Sequence, residues 1–318
     1  MTPVSGRRGE RLMVEEPRFE TYYGRQIIKT PTWKTPDVPL YLFLGGVAGS
    51  SALLAEGAAV SGRPQLERVA RLAAAGGAAG GTVALIHDLG RPERFLNMLR
   101  VVKPTSPLSV GSFILAPFSA LSGVAAASHL TGRLPRVGRL AGLGAALFGP
   151  PLVTYTAALV SNTAVPAWHE AHRELPYVFA GSGATAAGGL AMVFSPCDQA
   201  GPARRMAIAG AAIEIAAAER LLGRLGMVGE PYRTGRPGRL MRASRNMTAM
   251  AAGATLLFGQ RSRVVSVLAG AACVAASALT RFGVFEAGVA SARDPKYTVV
   301  PQRDRLARAS QEHQKPVT

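Results

Sequence analysis

The chain has 318 residues, with 36 Lys and Arg against 19 Asp and Glu, a formal net charge of +17 and a mean hydropathy of +0.18. On a soluble domain that charge would point to nucleic acid, but here the basic residues lie almost wholly between apolar blocks, which argues against such a partner. Its two cysteines, Cys197 and Cys273, are too few for an iron–sulfur cluster, which takes about four thiolates.

Eight segments are almost free of charge: 38–61, 69–87, 108–130, 140–161, 175–195, 206–219, 246–259 and 264–280. A bilayer takes about 20 residues of helix, and several of these segments are long enough; the last four are shorter or interrupted. The pattern predicts an all-α polytopic membrane protein with about eight transmembrane helices in a bundle. A polar tail (1–37) precedes the transmembrane domain (38–282), and a second polar tail (283–318) follows it. The apolar segments are rich in Ala and Gly, which let helix backbones approach closely in lipid.

In chain order, Tyr22-Tyr23-Gly24-Arg25 and Pro31-Thr32-Trp33-Lys34 read as interface anchors before the first span. Asp37 is the expected N-cap of that span. The run Gly45-Gly46-Val47-Ala48-Gly49-Ser50-Ser51 lies inside a helix and is read as a close-packing face or a ligand-facing gap, not a phosphate loop. Glu56, near the outer end, is expected to reach the interface.

The second span ends in His87-Asp88-Leu89-Gly90-Arg91-Pro92-Glu93-Arg94-Phe95, five ionisable groups at the mouth of an apolar helix. Ionisable residues at membrane depth are costly, so this stretch reads as a polar wall for the head of an amphipathic ligand. An imidazole oriented by an adjacent carboxylate can shuttle protons, so His87 and Asp88 are candidates for a proton relay, with Arg91 orienting Asp88 or the ligand's head. The Pro-rich connection 91–107 is expected to be a surface loop without helix.

Counting crossings returns a second polar island, Trp168-His169-Glu170-Ala171-His172-Arg173-Glu174-Leu175-Pro176, to the face of His87. The basic loop near 224–245 and both tails share that face, whereas the opposite loops are short and plain. The two faces carry 25 and 10 Lys and Arg. That excess predicts a cytoplasmic location for both termini.

His87 and His129 end their spans on opposite faces, so they offer no axial pair for a haem. His169, Glu170 and His172 lack a recognisable zinc frame. Glu214 falls near mid-membrane, where a carboxylate must be paired, protonated or hydrated; a proton route and a carboxyl hydrogen-bonded to another helix are its two equal readings. Arg281-Phe282-Gly283-Val284-Phe285-Glu286 and Asp294-Pro295-Lys296-Tyr297 read as surface anchors or a docking strip closing the last span.

Three segments carry a resemblance: Tyr41-Leu42-Phe43-Leu44-Gly45-Gly46, His87-Asp88-Leu89-Gly90-Arg91-Pro92 with Phe95, and Ala290-Ser291-Ala292-Arg293-Asp294-Pro295. Together, over about residues 22–305, the chain resembles the NrfD / polysulfide reductase membrane-subunit family. The resemblance implies a haem-free, cluster-free membrane anchor of a multi-subunit oxidoreductase in the cell's inner membrane. Such a subunit exchanges electrons between a ferredoxin-like iron–sulfur partner, bound with a molybdenum or tungsten catalytic subunit, and exchangeable menaquinone or ubiquinone. It further implies that Tyr41, His87, Asp88 and Arg91 line or support the quinone pocket. A cytoplasmic cluster partner, as in formate dehydrogenase-like complexes, follows from the charge orientation. A transporter or channel, or a purely structural anchor, are the alternatives.

Overall fold

The computed structural model describes residues 27–91 and 93–313, with side chains through Leu306. The anchors Tyr22, Tyr23 and Arg25 and the loop residue Pro92 lie outside the described residues. Those described form helices and connections, with no strand among them.

Eight helices of 20 residues or more build the molecule: α1 (Asp37–Val60), α2 (Pro64–Leu89), α4 (Pro107–Thr131), α5 (Pro135–Ser161), α7 (Leu175–Phe194), α8 (Gly201–Arg224), α9 (Gly235–Phe258) and α10 (Arg263–Arg293). Six of them, α1, α2, α4, α5, α7 and α10, are long and apolar enough to cross a membrane. The chain is an all-helical, multi-pass integral membrane protein. Helices α8 and α9 match the others in length but carry more charge: Arg204, Arg205, Glu214, Glu219 and Arg220 on one, Arg236, Arg239, Arg242 and Arg245 on the other. Short helices α3 (Glu93–Met98) and α6 (Pro166–His169), a 3-10 turn at Gly226–Tyr232 and α11 (Lys296–His313) complete the chain. Helix α3 corrects the expectation of a helix-free 91–107 loop: no proline falls within Glu93-Arg94-Phe95-Leu96-Asn97-Met98, so these residues are free to coil.

The long helices form two four-helix groups. Helices α1, α2, α4 and α5 make one, α7 to α10 the other, and α1 and α5 pack on α7 to join them. Small residues set these joins. A Cβ on Gly49 of α1 would lie 2.5 Å from the carbonyl oxygen of Gly149 in α5, and one on Gly181 of α7 would lie 2.7 Å from the Gly210 carbonyl in α8. Backbones this close gain dispersion energy that larger residues would forbid. Pro117 in α4 and the Pro150-Pro151 pair in α5 lie within their helices, as membrane-spanning helices allow.

Chain turns alternate between two ends. The near face collects Asp37, Leu89, Ser161, Leu175, Arg224 and Arg293; the far face collects Val60, Pro64, Thr131, Phe194 and Arg263. The far face is not plain. Arg71, 5% exposed, bridges Glu56 at 3.0 Å and Glu67 at 2.8 Å, with His129 Nδ1 3.8 Å from Glu67 and Arg139 Nε 3.8 Å from Glu56. Glu56 therefore does not reach the interface: a buried arginine on the adjacent helix takes its charge.

Candidate functional site

The His87 stretch is built by the antiparallel ends of α1 and α2. Gly90 adopts φ +70°, closes α2, and donates its N–H to the His87 carbonyl. Asp37 is the first residue of α1, without a capping hydrogen bond, so the expected N-cap role is not the one it plays. Its Oδ2 instead meets His87 Nδ1 at 2.7 Å. An acid at a helix start and an imidazole at a helix end each suit the local dipole. His87 is thus oriented by Asp37 rather than by its neighbour Asp88, because successive helical residues point about 100° apart. The Asp88 Oδ1 accepts the backbone N–H of Lys34 at 2.9 Å, tying the segment before α1 to the end of α2. Arg91 is exposed and forms no ion pair among the described residues, so it does not orient Asp88.

Tyr41 lies one helical turn below Asp37 on the same face of α1. It is 2% exposed, and its hydroxyl has no hydrogen-bond partner among the described residues. Its ring faces Gly81 of α2. Tyr41, Asp37 and His87 therefore share the α1–α2 seam, Asp88 flanks it and Arg91 stands outside it.

The island after α5 is a structural knot. Trp168 is fully buried, stacks on Trp33 with centroids 5.5 Å apart and lies 5.6 Å from Phe285. Its Nε1 donates to the Val284 carbonyl at 2.8 Å. The Tyr232 hydroxyl donates to the Ala167 carbonyl at 3.0 Å, and burial pushes that phenol well above its ordinary pKa. Glu174 receives two hydrogen bonds from Arg224, at 2.7 and 2.6 Å, and these hold its carboxyl below the usual carboxylate range. Arg224 also donates to the Glu170 carbonyl. His169 Nδ1 sits 3.2 Å from the Ser161 carbonyl and His172 Nδ1 3.0 Å from the His169 carbonyl. No group of three His, Cys, Asp or Glu placed to hold a metal ion occurs among the described residues.

The second four-helix group holds a polar centre that the sequence reading only half found. Glu214 is 4% exposed and its Oε1 lies 2.6 Å from Thr280 Oγ1, itself 2.6 Å from Ser244 Oγ. Ser182 and Ser277 meet at 2.8 Å alongside. Arg281 follows Thr280 and is completely buried. Its guanidinium stacks on the Phe179 ring, 3.7 Å from the centroid, and Nη2 donates to the Phe179 carbonyl at 2.7 Å. This overturns the reading of Arg281 as a surface anchor. Helix α10 continues to Arg293, and an aromatic face, a carbonyl and the nearby charge of Glu214 replace part of the water an interior arginine loses, while Nε and Nη1 have no hydrogen-bond partner among the described residues. The signal was present: between Arg281 and Arg293 the only charged residue is Glu286, so the apolar stretch runs on for three more turns.

A cavity of about 410 Å³ opens between α8 and α9, with Glu214, Thr280, Ser244 and Thr248 among its lining residues. Glu219 and Arg245 pair at 2.6 Å beside it.

A family model described as polysulphide reductase, NrfD, matches residues 28–196, slightly more than half of the chain. The match takes in α1 to α7 and the Tyr41–His87 seam; Glu214 and Arg281 lie beyond it. No curated protein matches the chain.

Proposed function

The chain belongs to the NrfD family, and from that premise we propose that it is the quinone-interacting membrane anchor of an oxidoreductase complex. Electrons pass between an iron–sulfur subunit, bound with a molybdenum or tungsten catalytic subunit, and menaquinone or ubiquinone. The observation that carries this reading is the buried, unpartnered hydroxyl of Tyr41 beneath the Asp37–His87 pair. A buried hydroxyl without a partner is costly, and a quinone oxygen is a fitting acceptor for it.

The quinone supplies the redox change when bound, taking up two electrons and two protons to become quinol. Tyr41 holds its oxygen from within the membrane. His87, fixed at Nδ1 by Asp37, keeps Nε2 free to exchange a proton with the near-face water, since it is exposed. Asp88 secures the segment at Lys34 against which a partner docks, and Arg91 presents an exposed charge to that partner. Glu214 serves proton movement deeper in the second group. All eight long helices cross the inner membrane, with Glu214 held inside the bundle and the other charges of α8 and α9 lying toward their two ends. The near face, richer in Lys and Arg, is cytoplasmic.

The test uses the complex purified through a tag on this chain. Tyr41→Phe and His87→Ala are expected to lower quinone reduction at least about tenfold while reduction of a soluble dye by the catalytic subunit is unchanged. Full quinone reduction in both variants would leave the chain a structural anchor.

A further inference from the structure

We propose that the α8–α9 cavity is a second, separate site, which takes the hydroxylated ring of a hydroquinone-class amphiphile; the ligand class rests on the function proposed above. The cavity's volume of about 410 Å³ suits a ring and the first units of a tail. Ile215, Ala218, Leu222 and Met241 give it apolar walls. Two of its lining groups are buried without a hydrogen bond among the described residues: Glu214 Oε2, with the Ser182 hydroxyl close by, and Thr248 Oγ1.

Those two atoms select the ligand. An acyl chain in the cavity would leave both without partners in an apolar setting. A small inorganic anion would pair with the lining arginines Arg233, Arg242 and Arg245, but it would meet the carboxylate of Glu214 and leave the apolar walls bare. A phenolic hydroxyl donates to Glu214 Oε2 and accepts from Thr248, while the ring covers the walls. The cavity opens beside the half-exposed Arg245–Glu219 pair, past which an isoprenoid tail runs into lipid. The site lies in helices α8 and α9, whereas Tyr41 and His87 belong to the other four-helix group, so the two sites are occupied independently.

The test is photolabelling of the full-length protein in phosphatidylcholine nanodiscs, using a short-chain hydroquinone with a diazirine on its tail. Labelled peptides are mapped by mass spectrometry. Label competed by unlabelled hydroquinone is expected on α8 and α9. Ala218→Phe, which fills the cavity without removing a polar group, and Thr248→Val, which removes only a hydroxyl, are expected to cut that label about tenfold. Tyr41→Phe and His87→Ala should leave it unchanged. Competed label confined to α1 and α2 would overturn the second site and leave the quinone function standing. Displacement of the α8–α9 label by oleate as readily as by hydroquinone would make the occupant an acyl lipid and overturn the proposal. No competed label anywhere would overturn both readings.

Discussion

Arg281 lies face-on over Phe179, its guanidinium carbon 3.7 Å from the ring centroid, and also donates to the Phe179 backbone carbonyl at 2.7 Å. One residue thus clamps α10 to α7 by stacking and by hydrogen bond inside a membrane bundle. Arg281 Nη2 also points at Gly46 of α1, where a Cβ would come within 2.9 Å of it. The arginine therefore stands where the two four-helix groups meet.

Removing Arg281 takes away its hydrogen bond to the Phe179 carbonyl and its stack on the Phe179 ring, and draws a nearby positive charge from Glu214, which keeps its Thr280 hydrogen bond. Arg281→Met is expected to destabilise the protein by about 1.5–3 kcal/mol, the usual worth of a hydrogen bond from a charged group. Adding Glu214→Gln should recover part of the loss, since both charges are then gone. Thermal unfolding in detergent of the two single variants and the double variant checks this; strictly additive losses would show that the two charges are uncoupled.

Close helix contacts make a second, sharper contrast. A Cβ on Gly288 would overlap the Trp168 indole, whereas one on Gly253 meets nothing within 4 Å. Gly288→Ala is expected to cost about 1–3 kcal/mol through overpacking. Gly253→Ala should leave the unfolding temperature equal or slightly higher, because alanine favours helix by about 1 kcal/mol.

Glu174 gives a pH dependence with a defined sign. Its pair with Arg224 lowers its folded-state pKa, so the pair's contribution is complete above the unfolded carboxylate pKa of about 4.3. The contribution is lost as pH falls through the depressed folded value. Glu174→Gln should therefore lower the unfolding temperature at pH 7, and the gap to the parent protein should close progressively below about pH 4. A gap that stays constant to pH 3 would contradict the pairing.

Much of the architecture was legible in the sequence. The charge-free blocks fall on all eight long helices, and six of these are long and apolar enough to cross a membrane, because lipid sets a minimum residue count for a span. The weaker blocks ran short in the reading for one physical reason: charges inside a helix bundle are paired by side chains far along the chain, and a linear reading sees only an interruption. Arg281 shows this, settled by Phe179, as do Glu219 and Arg245, which pair with each other across α8 and α9. At the site, the near-face placement of Tyr41, His87 and Asp88 was legible from span counting. The partners were not: His87 turns to Asp37, fifty residues away, and the neighbouring Asp88 turns to Lys34. The α8–α9 cavity had no linear signal beyond Glu214, because its walls come from helices joined only in three dimensions.

The most direct test of the central claim is stopped-flow absorbance of the iron–sulfur clusters in the complex purified through this chain. The clusters are reduced through the catalytic subunit and then mixed with a short-chain quinone. Cluster reoxidation by quinone is predicted to be fast in the parent complex and slowed at least about tenfold by Tyr41→Phe with His87→Ala. Reoxidation at the parent rate in that double variant would contradict it.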